Sequence, residues 1–281
     1  MPTAWRLLIT PPAEGRRNMA VDEAILDSVA AGQAPPTLRF YAWAPPCLSL
    51  GHAQAAEVVD EAGLLAEGWD IVRRPTGGRA LLHTDELTYS IAAPDSTPGL
   101  AGGVLPSYQI LSRGLLAGLE RLGLDLDAPG LTVLGPSDRI NPVCFEVPSA
   151  YEITVRGKKL VGSAQLRRRG AVLQHGSLPL TGDITRVVRA LRYPDDEARR
   201  QAAARLRRHA TTLEEQLGRR VSFDESAGAL AEGFAEALGW SISTGLLTPG
   251  EQSISRQLEA TLYRRPDFAP AALAPDAGRD A

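Results

Sequence analysis

Two stretches of the chain hold residue types that can do chemistry. The first runs from Asn141 to Leu180, NPVCFEVPSAYEITVRGKKLVGSAQLRRRGAVLQHGSLPL, and carries Cys144 together with Lys158 and Lys159. These are the only lysines among 30 basic side chains. An ammonium is a compact point charge on a flexible stem that can sit beside one atom and give up its proton, whereas a guanidinium is a planar fork that stays charged. In a chain otherwise restricted to arginine, the pair marks either a spot that needs the point charge or a solvated hairpin turn, Arg156-Gly157-Lys158-Lys159. A free thiol has a pKa of about 8.5 and is mostly protonated at neutral pH unless a nearby cation lowers it. Lys159 is such a cation if a strand pair folds it back toward Cys144. Residue type alone leaves a second reading of Cys144 open, a small buried apolar side chain.

The second stretch is Arg73-Arg74-Pro75-Thr76-Gly77-Gly78-Arg79. Paired glycines let a backbone approach a ligand closely, and flanking arginines suit an acidic group such as phosphate. A β-turn with solvated arginines has the same composition. Of the four histidines, His52, His83 and His175 fall at the ends of expected strands, where sites often sit. None has helical metal-ligand spacing and Cys144 belongs to no Cys-x-x-Cys, so zinc is not expected, and a satisfied structural histidine is the default for each. Cys47, in the apolar run Pro46-Cys47-Leu48, reads as packing.

The elements that must position these residues are legible in part. Asn18 is the expected N-cap of a helix MAVDEAILDSVAA, stopped by Gly32. Strands are expected at Thr37–Trp43, Cys47–Gly51, Trp69–Arg73, Ala80–His83 and Leu87–Ile91, with a short helix at 58–67. An amphipathic helix follows at Ser107–Leu122. Around the lysines the pattern gives strands at Tyr151–Val155, Leu160–Leu166 and Ala171–His175. The last third reads as helical, with capping boxes at Thr212–Glu215 and Ser222–Glu225 and another helix opening at Thr248-Pro249-Gly250-Glu251. Strands in succession with helices grouped around them give an α+β fold. Residues 1–265 read as a single domain with its helical third included, and the Ala- and Pro-rich tail 266–281 as disordered.

The chain has 281 residues, 44% hydrophobic and 22% charged, with a net charge of −3, an ordinary globular balance that gives no reason to expect nucleic acid as a partner. Two cysteines are too few for a disulfide scaffold. The N-terminus lacks the pattern of a signal peptide, and no apolar run approaches the ~18 residues of a membrane span. A reduced, cytoplasmic protein without membrane contact is expected.

Taken together, these stretches resemble a known family. RRPTGGRALLHTDELTYS (Arg73 to Ser90) resembles the arginine–glycine loop of the biotin/lipoate protein ligase superfamily, and PTLRFYAWAPPCLSLGHAQ resembles its opening strands. VCFEVPSAYEITVRGKKLVGSAQLRRRGAVLQHGSLPL is similar to the cysteine-dependent octanoyltransferases of the LipM type within that superfamily. The resemblance implies a mixed β-sheet flanked by helices. It also implies an acyl-thioester on Cys144, whose thiol pKa is lowered by Lys159, and a substrate slot lined by Arg73, Gly77, Gly78, Arg79, His83, Ser163 and Gln165. Octanoyl would arrive on acyl carrier protein and leave on a lysine of a lipoyl domain, such as the glycine cleavage H protein or the 2-oxoacid dehydrogenase E2 subunits. The thioester arrives activated, so no metal or nucleotide cofactor is implied. Neighbouring readings are an ATP-dependent lipoate–protein ligase, an amidotransferase between lipoyl domains, and a silent binder of lipoyl domains.

Overall fold

The computed structural model describes residues 4–125 and 153–264. Cys144, the expected strand start at 151–152 and the tail 266–281 lie outside the described residues. In chain order the elements begin β1 (Ala4–Ile9), α1 (Gly15–Ala30), β2 (Thr37–Tyr41), β3 (Cys47–Leu50) and α2 (Glu61–Glu67). There follow β4 (Asp70–Arg73), β5 (Leu81–His83), β6 (Glu86–Pro94) and α3 (Val104–Arg121). The central hairpins are β7 (Ile153–Val155), β8 (Lys158–Arg168) and β9 (Ala171–Pro179). The chain then runs through α4 (Asp196–His209), α5 (Leu213–Leu217), α6 (Phe223–Leu238), β10 (Ser241–Thr244) and α7 (Pro249–Ala260).

Among the described residues the strands form a large sheet in the order β10-β1-β2-β6-β9-β8-β7 and a small one, β4-β3-β5. β1 runs parallel to both β10 and β2, while β2, β6, β9, β8 and β7 alternate in direction, so the large sheet is mixed as expected. Its central strand β6 is buried on both faces. Leu87, Tyr89 and Ile91 point into the main core with Leu111, Leu115 and Leu119 of α3 and Leu230 and Phe234 of α6. The opposite face carries Val21, Ile25 and Val29 of α1 against Leu8, Ala92 and Leu173. The small sheet has its own core, in which Leu48, Leu50 and Ile71 meet Leu64 of α2 and Ala202 and Leu206 of α4.

Several boundaries differ from the sequence reading, each for a physical reason. Helix α1 starts at Gly15, so Asn18 is not its cap but a fully buried residue of its first turn. The Asn18 amide donates to the carbonyls of Ala13 and Ala42 and accepts from Arg39, which uses up its capping capacity. The expected helix at 58–67 divides into a 3-10 turn, Ala56–Val58, and α2, which Asp60 caps by accepting from the Gly63 N–H. Strand β9 continues past His175 to Pro179 because Gly176 and Ser177 keep their ladder with both β6 and β8. His175 is therefore in mid-strand. The last third is not wholly helical, since β10 pairs with β1, two strands the periodicity does not mark. Thr212 and Ser222 do cap α5 and α6, but the reciprocal capping-box bond forms only between Thr248 and Glu251. Glu215 instead bonds Lys158 and Thr211, and Glu225 pairs with Arg219.

Candidate active site

Between the two sheets lies a cleft with about 440 Å3 of free space when the open solvent at its mouth is counted in. The large sheet contributes Tyr41, Thr88, Gly162, Ala164, His175 and Ser177 to its lining, and the small sheet Ser49, Leu81 and His83. Arg74 and Gly78 of the arginine–glycine loop, with Trp43 and Met19, complete it. The strand ladder explains the sidedness. Tyr41, Thr88, Ser177 and Gly162 are directly opposite one another on successive strands, as are Arg39, Ser90, His175 and Ala164, so both rows share the cleft face.

Two buried histidine–carboxylate pairs face this cleft. His83 at the end of β5 has Nδ1 2.6 Å from Glu86 Oε1 and Nε2 2.8 Å from Ser49 Oγ. Thr88 and Ser177 donate their hydroxyls to the same carboxylate, each at 2.5 Å, and Trp43 Nε1 donates to Thr88 at 2.8 Å. The Trp43 ring also stacks on His83 at 3.9 Å. Burial by itself would raise the Glu86 carboxyl, but attraction to His83 and the bonds from His83, Ser177 and Thr88 outweigh it and hold the group below its usual range.

His175 makes the second pair. Its Nε2 is 2.6 Å from Thr76 Oγ1, which ties the arginine–glycine loop to the large sheet, and its Nδ1 is 3.4 Å from Asp22 Oδ2. Asp22 is already compensated by Arg39 at 2.6 Å, and it accepts from Tyr41 and Ser90 as well. For Asp22, burial is outweighed by attraction to Arg39 and bonding from His175, so its carboxyl is held low. For His175 burial prevails over Asp22 and lowers the imidazole pKa, leaving the ring neutral near pH 7.

The loop itself is held by one side chain. Arg74 donates to the carbonyls of Ser49, Gly77 and Arg79 and to Ser49 Oγ, so its guanidinium is the internal brace of the turn. Gly78 adopts φ 96°, a region that favours glycine, and a Cβ on Gly51 would meet the Gly78 carbonyl at 2.0 Å. The loop thus packs glycine against glycine. Arg73 points elsewhere, donating to the carbonyls of Gly51, His52 and Gln54 outside the cleft lining. Arg79 contributes its carbonyl to Arg74, and its own buried Nη1 has no hydrogen-bond partner among the described residues.

Strand β8 places the remaining residues. Its pairing with β7 runs Val155 to Lys158 and Thr154 to Lys159, then Ile153 to Val161, so Leu160 is the extra residue of a β-bulge. Ile153, Val155, Leu160 and Val161 all pack in the main core, which leaves Thr154 and Lys159 on the other, cleft-side face. Lys159 is 3% exposed there, three residues before the cleft-lining Gly162. Lys158 instead reaches the surface and pairs with Glu215 at 2.7 Å. Ser163 borders the cleft and bonds the Tyr89 hydroxyl at 2.7 Å, while burial pushes the Tyr89 phenol up to about 12. Gln165 lies beyond, bonded to Gln174 and Ser107 in a polar network under α3. Cys47 is fully buried beside Met19 and Val72, as its apolar surroundings implied.

The structure therefore brings His83, Gly78 and Ser163 to one cleft, with Lys159 on the same face of the sheet. It adds residues that sequence reasoning did not nominate, Asp22, Ser49, Glu86, Thr88 and Ser177, and gives Arg74 and Thr76 of the nominated loop bracing and tying roles. One signal was available. Polar Thr88 and Ser90 alternate with Leu87, Tyr89 and Ile91 in a strand flanked by other strands, where both faces must be covered.

Residues 14–235 match the model of the lipoyl protein ligase A/B catalytic domain. The chain belongs to this family. Within the ligase A/B family, it is 46% identical to an octanoyltransferase LipM from Kyrpidia tusciae, over 91% of this chain and 95% of that protein. A second octanoyltransferase LipM, from Symbiobacterium thermophilum, is 44% identical over 94% of this chain and 97% of its own length. Among solved structures, the bipartite lipoate protein ligase of Thermoplasma acidophilum superposes with a TM-score of 0.78 at 27% identity, covering 93% of this chain and 94% of that one. The mixed sheet flanked by helices is thus the fold of the lipoyl ligase catalytic domain. Among the described residues, no helix of this family member is long and apolar enough to cross a membrane.

Proposed function

We propose that this chain is an acyltransferase of lipoate biosynthesis that moves octanoyl from octanoyl-acyl carrier protein to a lysine of a lipoyl domain through a thioester on Cys144. The reaction has two steps. Cys144 thiolate attacks the carrier thioester, forming the enzyme thioester and releasing the carrier thiol. The acceptor amine then attacks the enzyme thioester, forming the amide and returning the Cys144 thiolate. Splitting the transfer lets two protein partners use one site in turn, because the acyl group stays on the enzyme between visits.

The observation that carries this chemistry is the placement of Lys159, buried on the cleft face, while its neighbour Lys158 is held in a surface ion pair. A buried ammonium stabilises an anion beside it far more than a solvated one does, because water does not screen it. That is the environment a thiolate nucleophile requires. The octanoyltransferase relatives supply the acyl group, and the apolar wall of Met19, Trp43 and Leu81 suits its chain. In this reading Gly77, Gly78 and His83 border the acyl and pantetheine slot, and Arg74 holds the loop in place.

The test is transfer without ATP. Incubated with octanoyl-acyl carrier protein, the enzyme should add the mass of one octanoyl group to a lipoyl domain. A strict need for ATP and free octanoate would instead make it a ligase.

A further inference from the structure

The acceptor lysine must lose a proton as it becomes an amide, and the cleft contains a hydrogen-bonded chain with a single sense of donation. Glu86 accepts from Thr88 and Ser177, so as a carboxylate it also requires a donor at His83 Nδ1, 2.6 Å away. A neutral His83 with its proton on Nδ1 must accept at Nε2, and the available donor is the Ser49 hydroxyl at 2.8 Å. Ser49 Oγ in turn accepts from Arg74 at 3.0 Å. Every member of the chain therefore has an assigned role, and proton acceptance at His83 is backed by a carboxylate with no arginine or lysine on it among the hydrogen bonds and ion pairs described.

The second histidine of the cleft lacks these features. His175 is 3.4 Å from a carboxylate that Arg39 already neutralises, and its other nitrogen holds Thr76 of the loop. Comparison of the two pairs separates a proton acceptor from a structural tie.

We propose that Ser49, His83 and Glu86 form a proton relay that serves the second half-reaction, Ser49 meeting the acceptor amine and His83 storing its proton. The proposal rests on the acyl-transfer reading above. As the acceptor nitrogen bonds to the thioester carbon, the proton it sheds passes to Ser49 Oγ while the Ser49 proton passes to His83 Nε2. The C–S bond then breaks, and the electron pair leaves on the Cys144 sulfur. Imidazolium beside Glu86 returns its proton to solvent or to the thiolate. Ser49 borders the cleft, and Glu86, which touches no substrate, positions His83 and stabilises its charged form.

The experiment separates the half-reactions. Wild type, Ser49→Ala and Glu86→Gln are each acylated with octanoyl-acyl carrier protein and freed of donor. They are then mixed with a lipoyl domain across pH 5.5 to 9, and the adduct is followed by intact mass. Ser49→Ala keeps the bond from Arg74 to the Ser49 carbonyl, so the loop retains its brace. General-base assistance is worth about a hundredfold or more, so deacylation at neutral pH should slow about a hundredfold more than acylation does in both variants. Wild-type deacylation should level off as pH rises, whereas the variants keep climbing with hydroxide. Equal slowing of both half-reactions, or an unchanged pH profile, would overturn the relay. Steady-state transfer is measured in parallel. Should wild type transfer octanoyl with no adduct, the thioester reading fails and the relay is judged on the steady-state pH profile.

Discussion

Lys158 and Lys159 are adjacent in the chain yet end on opposite faces of β8. Lys158 bonds Glu215 at the surface, and Lys159 is buried on the side of the cleft. Strand alternation alone puts neighbours on opposite faces, and the bulge at Leu160, which lets Leu160 and Val161 both enter the core, decides that Lys159 takes the cleft side. The pair that stood out in an arginine-rich sequence therefore splits into a surface ion pair and a buried side chain on the cleft side of the sheet.

Lys159→Ala should raise the Cys144 thiol pKa and slow its alkylation near neutral pH, with little change at high pH where the thiol ionises unaided. Each pKa unit corresponds to about 1.4 kcal/mol of lost thiolate stabilisation. Lys159→Arg should not restore full transfer, because a planar guanidinium does not occupy a point-charge site. Lys158→Ala, by contrast, loses one exposed pair worth at most about 1 kcal/mol. Alkylation rates of the three variants against pH check this, and an unchanged profile in Lys159→Ala removes the electrostatic role.

The Asp22–Arg39 pair is almost completely buried and is shared by α1 and β2. Removing one partner of such a pair strands the other, at a cost of about 3–5 kcal/mol. Arg39→Met should therefore destabilise the protein by that order in urea unfolding, because it leaves the buried Asp22 carboxylate with only its bonds from Tyr41, Ser90 and His175. A loss under about 1 kcal/mol would show that the pair is dispensable.

Stability should also fall with acid in two stages. His175 has its folded pKa depressed below the ordinary 6.5, so the unfolded chain takes up a proton first, and stability declines as pH drops below that value. Glu86 and Asp22 are likewise held below their ordinary values of 4.5 and 3.8, and their contribution is lost as pH falls further toward their folded values. Urea midpoints from pH 8 to 2 read both stages. His175→Gln should flatten the first stage and leave the second.

The carboxylates behind these effects explain how far the sequence could be read. Strands carrying His83 and His175 were legible from their apolar runs, but not that they belong to two separate sheets. The partners were not, because Asp22 sits on a helix whose pattern looks like ordinary amphipathicity, and Glu86 follows His83 in what reads as a turn. Only the ladder from β2 through β6 to β9 brings residues 39, 90 and 175 together, and α1 packed across it adds Asp22. Arg39 was a missed clue, a charge within a five-residue strand whose every position is buried. Arg73 and Arg74 could not be told apart by type, and the direction of β4 decides which one braces the loop. Of Cys144 and Lys159, the latter's burial depends on one bulged residue that no periodicity reveals.

Ten arginines lie between Arg186 and Arg220. Arg186, Arg189, Arg199, Arg200, Arg219 and Arg220 are each paired with a carboxylate. Arg207 and Arg208 are exposed at the end of α4, just before Ala210 and Thr211, which contact the Lys159 backbone. A positive patch there would steer acidic partners toward the Lys159 end of the cleft and raise the on-rate in a salt-dependent way. Changing both arginines to Ser should slow Cys144 acylation at low salt and flatten its dependence on ionic strength. Matching salt curves for variant and wild type would leave α4 as ordinary surface.

The most direct measurement of the central claim is intact-mass spectrometry of the enzyme after mixing with octanoyl-acyl carrier protein in the absence of ATP. The account predicts one octanoyl adduct on wild type and on Cys47→Ser, since Cys47 is buried packing, and none on Cys144→Ser. An adduct that persists on Cys144→Ser, or transfer that proceeds at full rate without Cys144, would contradict it.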